Sequence, residues 1–161
     1  DNGEKELFRY LKEALLIRTS WLFGKEGNHF VKTITELLQK RDCLHIINDQ
    51  KGRPTFCDDL VEATLHLIKQ KGVFHFAGYG QVSWFEWAEE IFEQLKRAHI
   101  HFLCRELKPI ASSGYPCTAK RPLFSVLATE KYEKITGKKP PCWKEGLKAC
   151  LEEIHVKEPC H

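Results

Sequence analysis

Two short apolar runs, Ala14-Leu15-Leu16-Ile17 and Val73-Phe74-His75-Phe76, stand between stretches patterned for amphipathic helices, and they restrict the fold more than any other feature. Runs of that length between helices read as strands of a parallel sheet buried on both faces, because parallel strands are joined by helical crossovers. We expect the two as neighbours in one parallel sheet, with Thr19-Ser20-Trp21 and Gly78 at its C-terminal edge. Ligands of open α/β sheets gather at that edge. Glu4 to Glu13 carries Leu7, Phe8 and Leu11 on one stripe. Asn28 is placed to cap a helix with Phe30, Val31, Ile34, Leu37 and Leu38 inward, closed by Arg41-Asp42. Leu44 to Ile47 is a further strand. Asp58 opens a helix to about Lys71 with Leu60, Val61, Thr64, Leu65 and Ile68 inward. Ser83-x-x-Glu86 has capping-box spacing ahead of Trp84, Ala88, Ile91, Phe92 and Leu95. A weak strand pattern from His99 to Ile110 leads into a polar loop at 111–122, a short helix capped by Thr129 and stopped by Gly137, and a last helix from Trp143 to Ile154. The class is α/β.

Charge and cysteine usage narrow the partners. Lys and Arg number 25 against 22 Asp and Glu, and the signs are interleaved, so no basic stripe for nucleic acid is expected. No apolar run approaches the roughly 18 residues of a membrane span, and no leader pattern opens the chain, which leads to the expectation of a soluble protein. Methionine is absent, so Asp1 is no initiator and a processed, truncated or excised chain is expected. Seven cysteines (Cys43, Cys57, Cys104, Cys117, Cys142, Cys150 and Cys160) lie without any C-x-x-C pair, which points to free thiols and a cytoplasmic location. No metal site is expected. His99-x-His101 with Cys104 is the tightest group, and Cys150, His155, Cys160 and His161 lack paired spacing. There is no glycine-rich dinucleotide turn, since Gly24-x-x-Gly27 ends in His29-Phe30. Tyr10, Tyr79, Tyr115 and Tyr132 are followed four places on by Ala14, Ser83, Ala119 and Thr136, so there is no Tyr-x-x-x-Lys either.

The order of motifs goes further. The series begins Leu16-Ile17-Arg18-Thr19-Ser20-Trp21-Leu22-Phe23-Gly24, Asn28-His29-Phe30-Val31-Lys32-Thr33, Asn48-Asp49-Gln50-x-Gly52-x-Pro54-Thr55 and Asp59-Leu60. It continues with Phe74-His75-Phe76-Ala77-Gly78, Ser83-Trp84, Tyr115-Pro116 and Lys120-Arg121-Pro122-x-x-Ser125-x-Leu127. In this order and with these gaps the chain resembles the dTDP-4-dehydrorhamnose reductases, extended short-chain dehydrogenases that reduce the 4-keto group of a dTDP-sugar with NADPH or NADH. The resemblance covers nearly the whole chain but only the family's C-terminal half. It implies the last strands of a Rossmann-type parallel sheet plus the small substrate-binding domain, with 1–24 and 72–80 near the sheet and the remainder largely substrate domain. The cofactor-binding part and the family's Tyr and Lys would lie upstream, leaving no catalytic residue here.

The same resemblance implies roles for single residues. Thr19 and Ser20 would face the cofactor. Trp21, Asn28, Gln50, Pro54, Thr55 and Arg121 would bind the dTDP-sugar, with Lys120 beside Arg121 assisting or simply solvated. The residue types allow plainer readings as well. Trp21 also suits a core, as do Trp84, Trp87 and Trp143 on their helical stripes. Asn28 suits a helix cap, and Asn, Asp, Gly and Pro suit a turn. Arg121 offers a fork of donors matched to phosphate oxygens, or an ion pair on the surface. A homodimer and a divalent ion such as Mg are further possibilities the family raises. A non-catalytic nucleotide-binding relative that regulates another enzyme, and an inert fragment, are the rival readings.

Overall fold

The structure, a computed structural model, describes residues 2–115 and 121–157, with the side chains of 155–157 left aside. Helix α1 (Asn2–Tyr10) leads into β1 (Leu15–Arg18), which pairs in parallel with β6 (Gly72–His75), Leu15 opposite Gly72 and Arg18 opposite His75. The expected parallel pair is present, with Thr19-Ser20-Trp21 just past one strand and Gly78 past the other. Leu15, Leu16 and Ile17 are half-buried, not buried on both faces. The pairing explains this: among the described residues β1 has a neighbour on one side only.

Three more strand pairs follow. β2 (Leu22–Phe23) runs parallel to β5 (Thr55–Phe56), and β3 (Cys43–Ile47) runs parallel to β8 (Glu106–Ile110). β4 (Lys51–Gly52) runs antiparallel to β7 (Val82–Ser83). Only the end of the expected 99–110 strand forms, since His99 takes a left-handed backbone at φ 56° and cannot continue a strand.

The helices divide between two clusters. α2 (Phe30–Lys40) and α4 (Trp84–Arg97) bury Val31, Ile34 and Leu38 against Trp87, Ile91 and Leu95, joined by Leu147 and Leu151 of α6 (Trp143–Lys157). α3 (Cys57–Leu67) and α5 (Glu130–Thr136) bury Ala63, Leu67 and Tyr132 against Phe74 and Phe76, over Leu15 and Ile17. The capping box of α4 is present, the Ser83 hydroxyl accepting from the Glu86 amide at 3.1 Å and the Glu86 carboxylate accepting from the Ser83 amide at 2.6 Å. Gly137 ends α5 in the left-handed conformation, as a C-terminal glycine does.

Three expectations are corrected. The N-cap of α2 is His29, whose extended backbone starts the helix and whose Nδ1 accepts from Lys32; Asn28 lies one residue too early and is exposed. α3 starts after Phe56, placing Asp58 inside its first turn, and ends at Leu67. Its inward face is Ala63 and Leu67, whereas Val61, Leu65 and Ile68 are more than 60% exposed. The small Ala63 lets the helix lie close on Phe74, and that rotates the second apolar stripe outward.

Asp59 in the first turn of α3 carries a measurable consequence. Burial, then the neighbouring Asp58, Glu62 and Glu145, push its carboxyl up to about 6 from 3.8. The folded state therefore holds more protons than the unfolded state between about pH 4 and 6, and stability falls as pH rises through that window. Asp59→Asn should flatten that slope and stabilise the protein at pH 7.5 by on the order of 1 kcal/mol, discounted for partial exposure. Urea denaturation of both proteins at pH 4.5 and 7.5 measures it; a slope that persists in the variant refutes the assignment.

Candidate functional site

The site is built on the segment from Asn48 to Thr55, and each of its residues has a job in the packing. The amide of Asn48 donates to Ile110, and its side-chain oxygen accepts from the Ser83 hydroxyl at 2.7 Å, tying β3 and β8 to the start of α4. Asp49 accepts from the Ser112 amide with both carboxylate oxygens at 3.0 Å and from the Ser112 hydroxyl at 2.8 Å. These bonds, the amide first, hold the Asp49 carboxyl below its usual range. Further on, the Ser20 hydroxyl donates to the Arg53 carbonyl at 2.8 Å, the Thr55 amide donates to the Trp21 carbonyl at 3.2 Å, and the Gly78 amide donates to the Pro54 carbonyl at 3.2 Å. The segment is thereby stitched to the C-terminal edges of both β1 and β6. A side chain at Gly78 would run into the Pro54 carbonyl, so glycine is the residue that permits this approach.

Beside this seam lies a cavity of about 340 Å³. Phe30, Ile34 and Leu37 of α2, Leu44 and Ile46 of β3, and Trp84 form its apolar walls. Gln50, Ser112, Tyr115, His45 and Arg121 bring polar groups to it. Arg121 arrives because the following residues are clipped to β4: Lys51 donates to the Leu123 carbonyl at 2.7 Å and accepts from Ser125 at 2.8 Å. Arg53 clips the same segment further along, through the Leu127 carbonyl at 3.0 Å and the Thr129 hydroxyl at 3.2 Å. Arg121 is exposed at the rim of the cavity.

Trp21 occupies the junction between cavity and sheet edge. Its indole stacks on Trp84 with ring centres 3.7 Å apart and 13° between planes, and Trp87 lies 5.7 Å away. Phe30 closes on Trp84 at 4.7 Å and on Trp87 at 4.8 Å. Trp21 holds a left-handed backbone at φ 48°, which costs a non-glycine residue about 1–3 kcal/mol. Aromatic contacts worth about 0.5–1.5 kcal/mol each offset that strain.

The sequence-derived site residues thus separate. Gln50 and Arg121 line one cavity, and Trp21 abuts it through Trp84. Asn28 is exposed and is not among the cavity walls. Pro54 and Thr55 are fully buried in the seam, and the Thr55 hydroxyl has no hydrogen-bond partner among the described residues. Ser20 has its hydroxyl engaged by Arg53, while the Thr19 hydroxyl is enclosed and without a partner among the described residues. Lys120, Cys117, Cys160, His161 and the His155 side chain lie outside the described residues. No group of three His, Cys, Asp or Glu able to hold a metal ion occurs among the described residues, so the divalent ion finds no support. Sequence reasoning assigned Trp84 to the core and passed over Phe30, Ser112 and Tyr115 as cavity walls. The Ser83-Trp84 and Tyr115-Pro116 motifs were the signals available for two of them.

The loop held by Asp49 gives a direct test of the seam. Asp49→Ala should speed limited proteolysis within 111–115 several-fold while leaving the urea midpoint nearly unchanged. In the parent protein the same loosening should appear only as pH falls through the depressed Asp49 carboxyl pKa.

Comparison with known proteins adds an independent line. Residues 1–156 match the family described as RmlD substrate binding domain. The chain is 35% identical over 159 residues to a dTDP-4-dehydrorhamnose reductase of Escherichia coli K12, covering 94% of this chain and 53% of that protein. Among solved structures, a dTDP-4-dehydrorhamnose reductase ortholog from Clostridium acetobutylicum superimposes with a TM-score of 0.86 at 34% identity, covering 94% of this chain and 52% of the other. The Bacillus anthracis reductase, solved in complex with NADP, gives 0.81 at 31% identity, covering 95% and 52%. The chain spans about half the length of the relatives it matches.

Proposed function

The chain belongs to the RmlD substrate-binding domain family, and from that premise we propose that it is the sugar-nucleotide half of a reductase converting dTDP-4-dehydro-L-rhamnose to dTDP-L-rhamnose. The observation that carries the reading is the convergence of Gln50, Arg121, Trp84 and Phe30 on one cavity beside Trp21 at a parallel-sheet edge. Phe30 and Trp84 offer flat apolar faces for a pyrimidine, and Gln50 and Ser112 offer donors and acceptors for its edge. Arg121 takes the diphosphate, where a guanidinium fork meets two phosphate oxygens. Trp21, stacked on Trp84, presents its indole edge to the deoxysugar and holds the C4 carbonyl toward the sheet edge.

A reduced nicotinamide nucleotide, NADPH or NADH, supplies the hydride when bound, and the reduced carbonyl oxygen takes up a proton. This chain contributes Thr19 to the nicotinamide side, through the enclosed hydroxyl that has no partner among the described residues. Its further work is positional: gripping the diphosphate, excluding water from around C4 and fixing the sugar's distance to the edge. It contains no Tyr-x-x-x-Lys and no glycine-rich phosphate turn, so the proton donor and the cofactor's phosphate cradle come from the remaining half of the enzyme. The exposed Val61, Leu65 and Ile68 stripe and the unpaired side of β1 are the surfaces we assign to that half. Five cysteines of the described residues are free thiols, which fits a cytoplasmic enzyme, and no described helix is long and apolar enough to cross a membrane.

Arg121→Ala in the intact reductase tests the reading. Loss of a charge-assisted interaction worth about 1.5–3 kcal/mol should weaken dTDP binding roughly 10- to 150-fold. Binding of dTMP, which lacks the second phosphate, should change far less. Unchanged dTDP affinity removes Arg121 from the site. Absence of NADPH-dependent reduction of the 4-keto sugar by the intact wild-type protein defeats the function itself.

A further inference from the structure

We propose that Gly52 is a positioning residue for sugar recognition: the space left by its missing side chain is the slot in which the Trp21 indole lies. The proposal rests on the reading of Trp21 as the sugar-facing residue and adds what holds it in place.

Gly52 was read from sequence as a turn residue, but it is a buried member of β4, paired with Val82, and its backbone does not take the left-handed conformation that turns reserve for glycine. The requirement is room. A Cβ on Gly52 would lie 2.7 Å from both Cζ2 and Nε1 of the Trp21 indole, a separation at which one partner must move. β4 is the fixed partner, because its strand pairing to β7 and its bonds to Leu123 and Ser125 hold it from both sides. On the other side of the indole stands Trp84, itself fixed at the capped start of α4 and stacked near the fully buried Trp87. Trp21 is therefore held between a bare stretch of backbone and an aromatic face, and its own backbone is already in a strained region. Any carbon added at 52 displaces Trp21, because that is the one wall with freedom to yield. Neither Gln50 nor Arg121 is among the nearest atoms that a Cβ at 52 would meet, so the grip on the diphosphate should be much less affected than the sugar end.

Four forms of the intact reductase make the test: wild type, Gly52→Ala, Trp21→Phe and the double variant. The stacked Trp21 and Trp84 indoles should give an exciton band in the far-ultraviolet circular dichroism of the wild type, lost or much reduced in Gly52→Ala. In kinetics, Gly52→Ala should raise KM for the 4-keto sugar about tenfold while dTDP affinity stays within about twofold. In the Trp21→Phe background, where the smaller ring leaves room, adding Gly52→Ala should change KM by less than about twofold, the non-additivity expected of residues in contact. If Gly52→Ala fails to fold, recovery of folding in the double variant supports the slot, and failure to recover overturns it. An unchanged exciton band, an equal effect of Gly52→Ala in both backgrounds, or a parallel loss of dTDP affinity also overturns it. Should the wild type neither bind nor reduce the sugar nucleotide, the function is wrong, and the exciton band with the same cycle read in melting temperature still decides the role of Gly52.

Discussion

The hydrogen bond from the Thr55 amide to the Trp21 carbonyl is the join on which the rest of the site depends. It pulls the Asn48–Thr55 segment onto the end of β1, and the Gly78 to Pro54 bond does the same at β6. With both edges seized, the segment becomes the floor between the sheet and the larger helical cluster. Gln50 then faces the cavity, Gly52 faces the indole, and Asp49 reaches across to hold the loop that brings Ser112 and Tyr115. A ligand spanning cavity and sheet edge would meet groups placed by one continuous stretch of backbone.

Much of this frame was legible in the sequence. The β1 and β6 runs are apolar and separated by helical patterns, so a parallel pair was the economical solution. The stripe of α2 and the capping box of α4 appear as read. The face of α3 was not legible, since Ala63-Leu67 and Val61-Leu65-Ile68 are both apolar stripes, and periodicity does not say which one meets Phe74. The cap of α2 failed for a similar reason. Asn28 and His29 both carry acceptors, and the backbone conformation at His29 decides between them.

The site shows the same division at finer scale. The motif from Asn48 to Thr55 encodes packing: Pro54 and Thr55 are buried, and Gly52 lies against the indole. Residue type identified Trp21, but its stack depends on positions 52 and 84, brought together only by the β4–β7 pairing. Arg121 was legible as a phosphate-type residue. Its route to the cavity, through Lys51 and Ser125, is tertiary and could not be seen in the chain.

The central claim is that one sugar nucleotide lies across the cavity and the Trp21 edge, with its diphosphate at Arg121. A crystal structure of the intact reductase with dTDP-L-rhamnose tests it most directly. The account predicts the pyrimidine in the cavity walled by Phe30 and Trp84, phosphate oxygens within hydrogen-bond reach of Arg121, and the deoxysugar against Trp21. A nucleotide bound elsewhere, or bound here with its sugar directed away from Trp21, would contradict it.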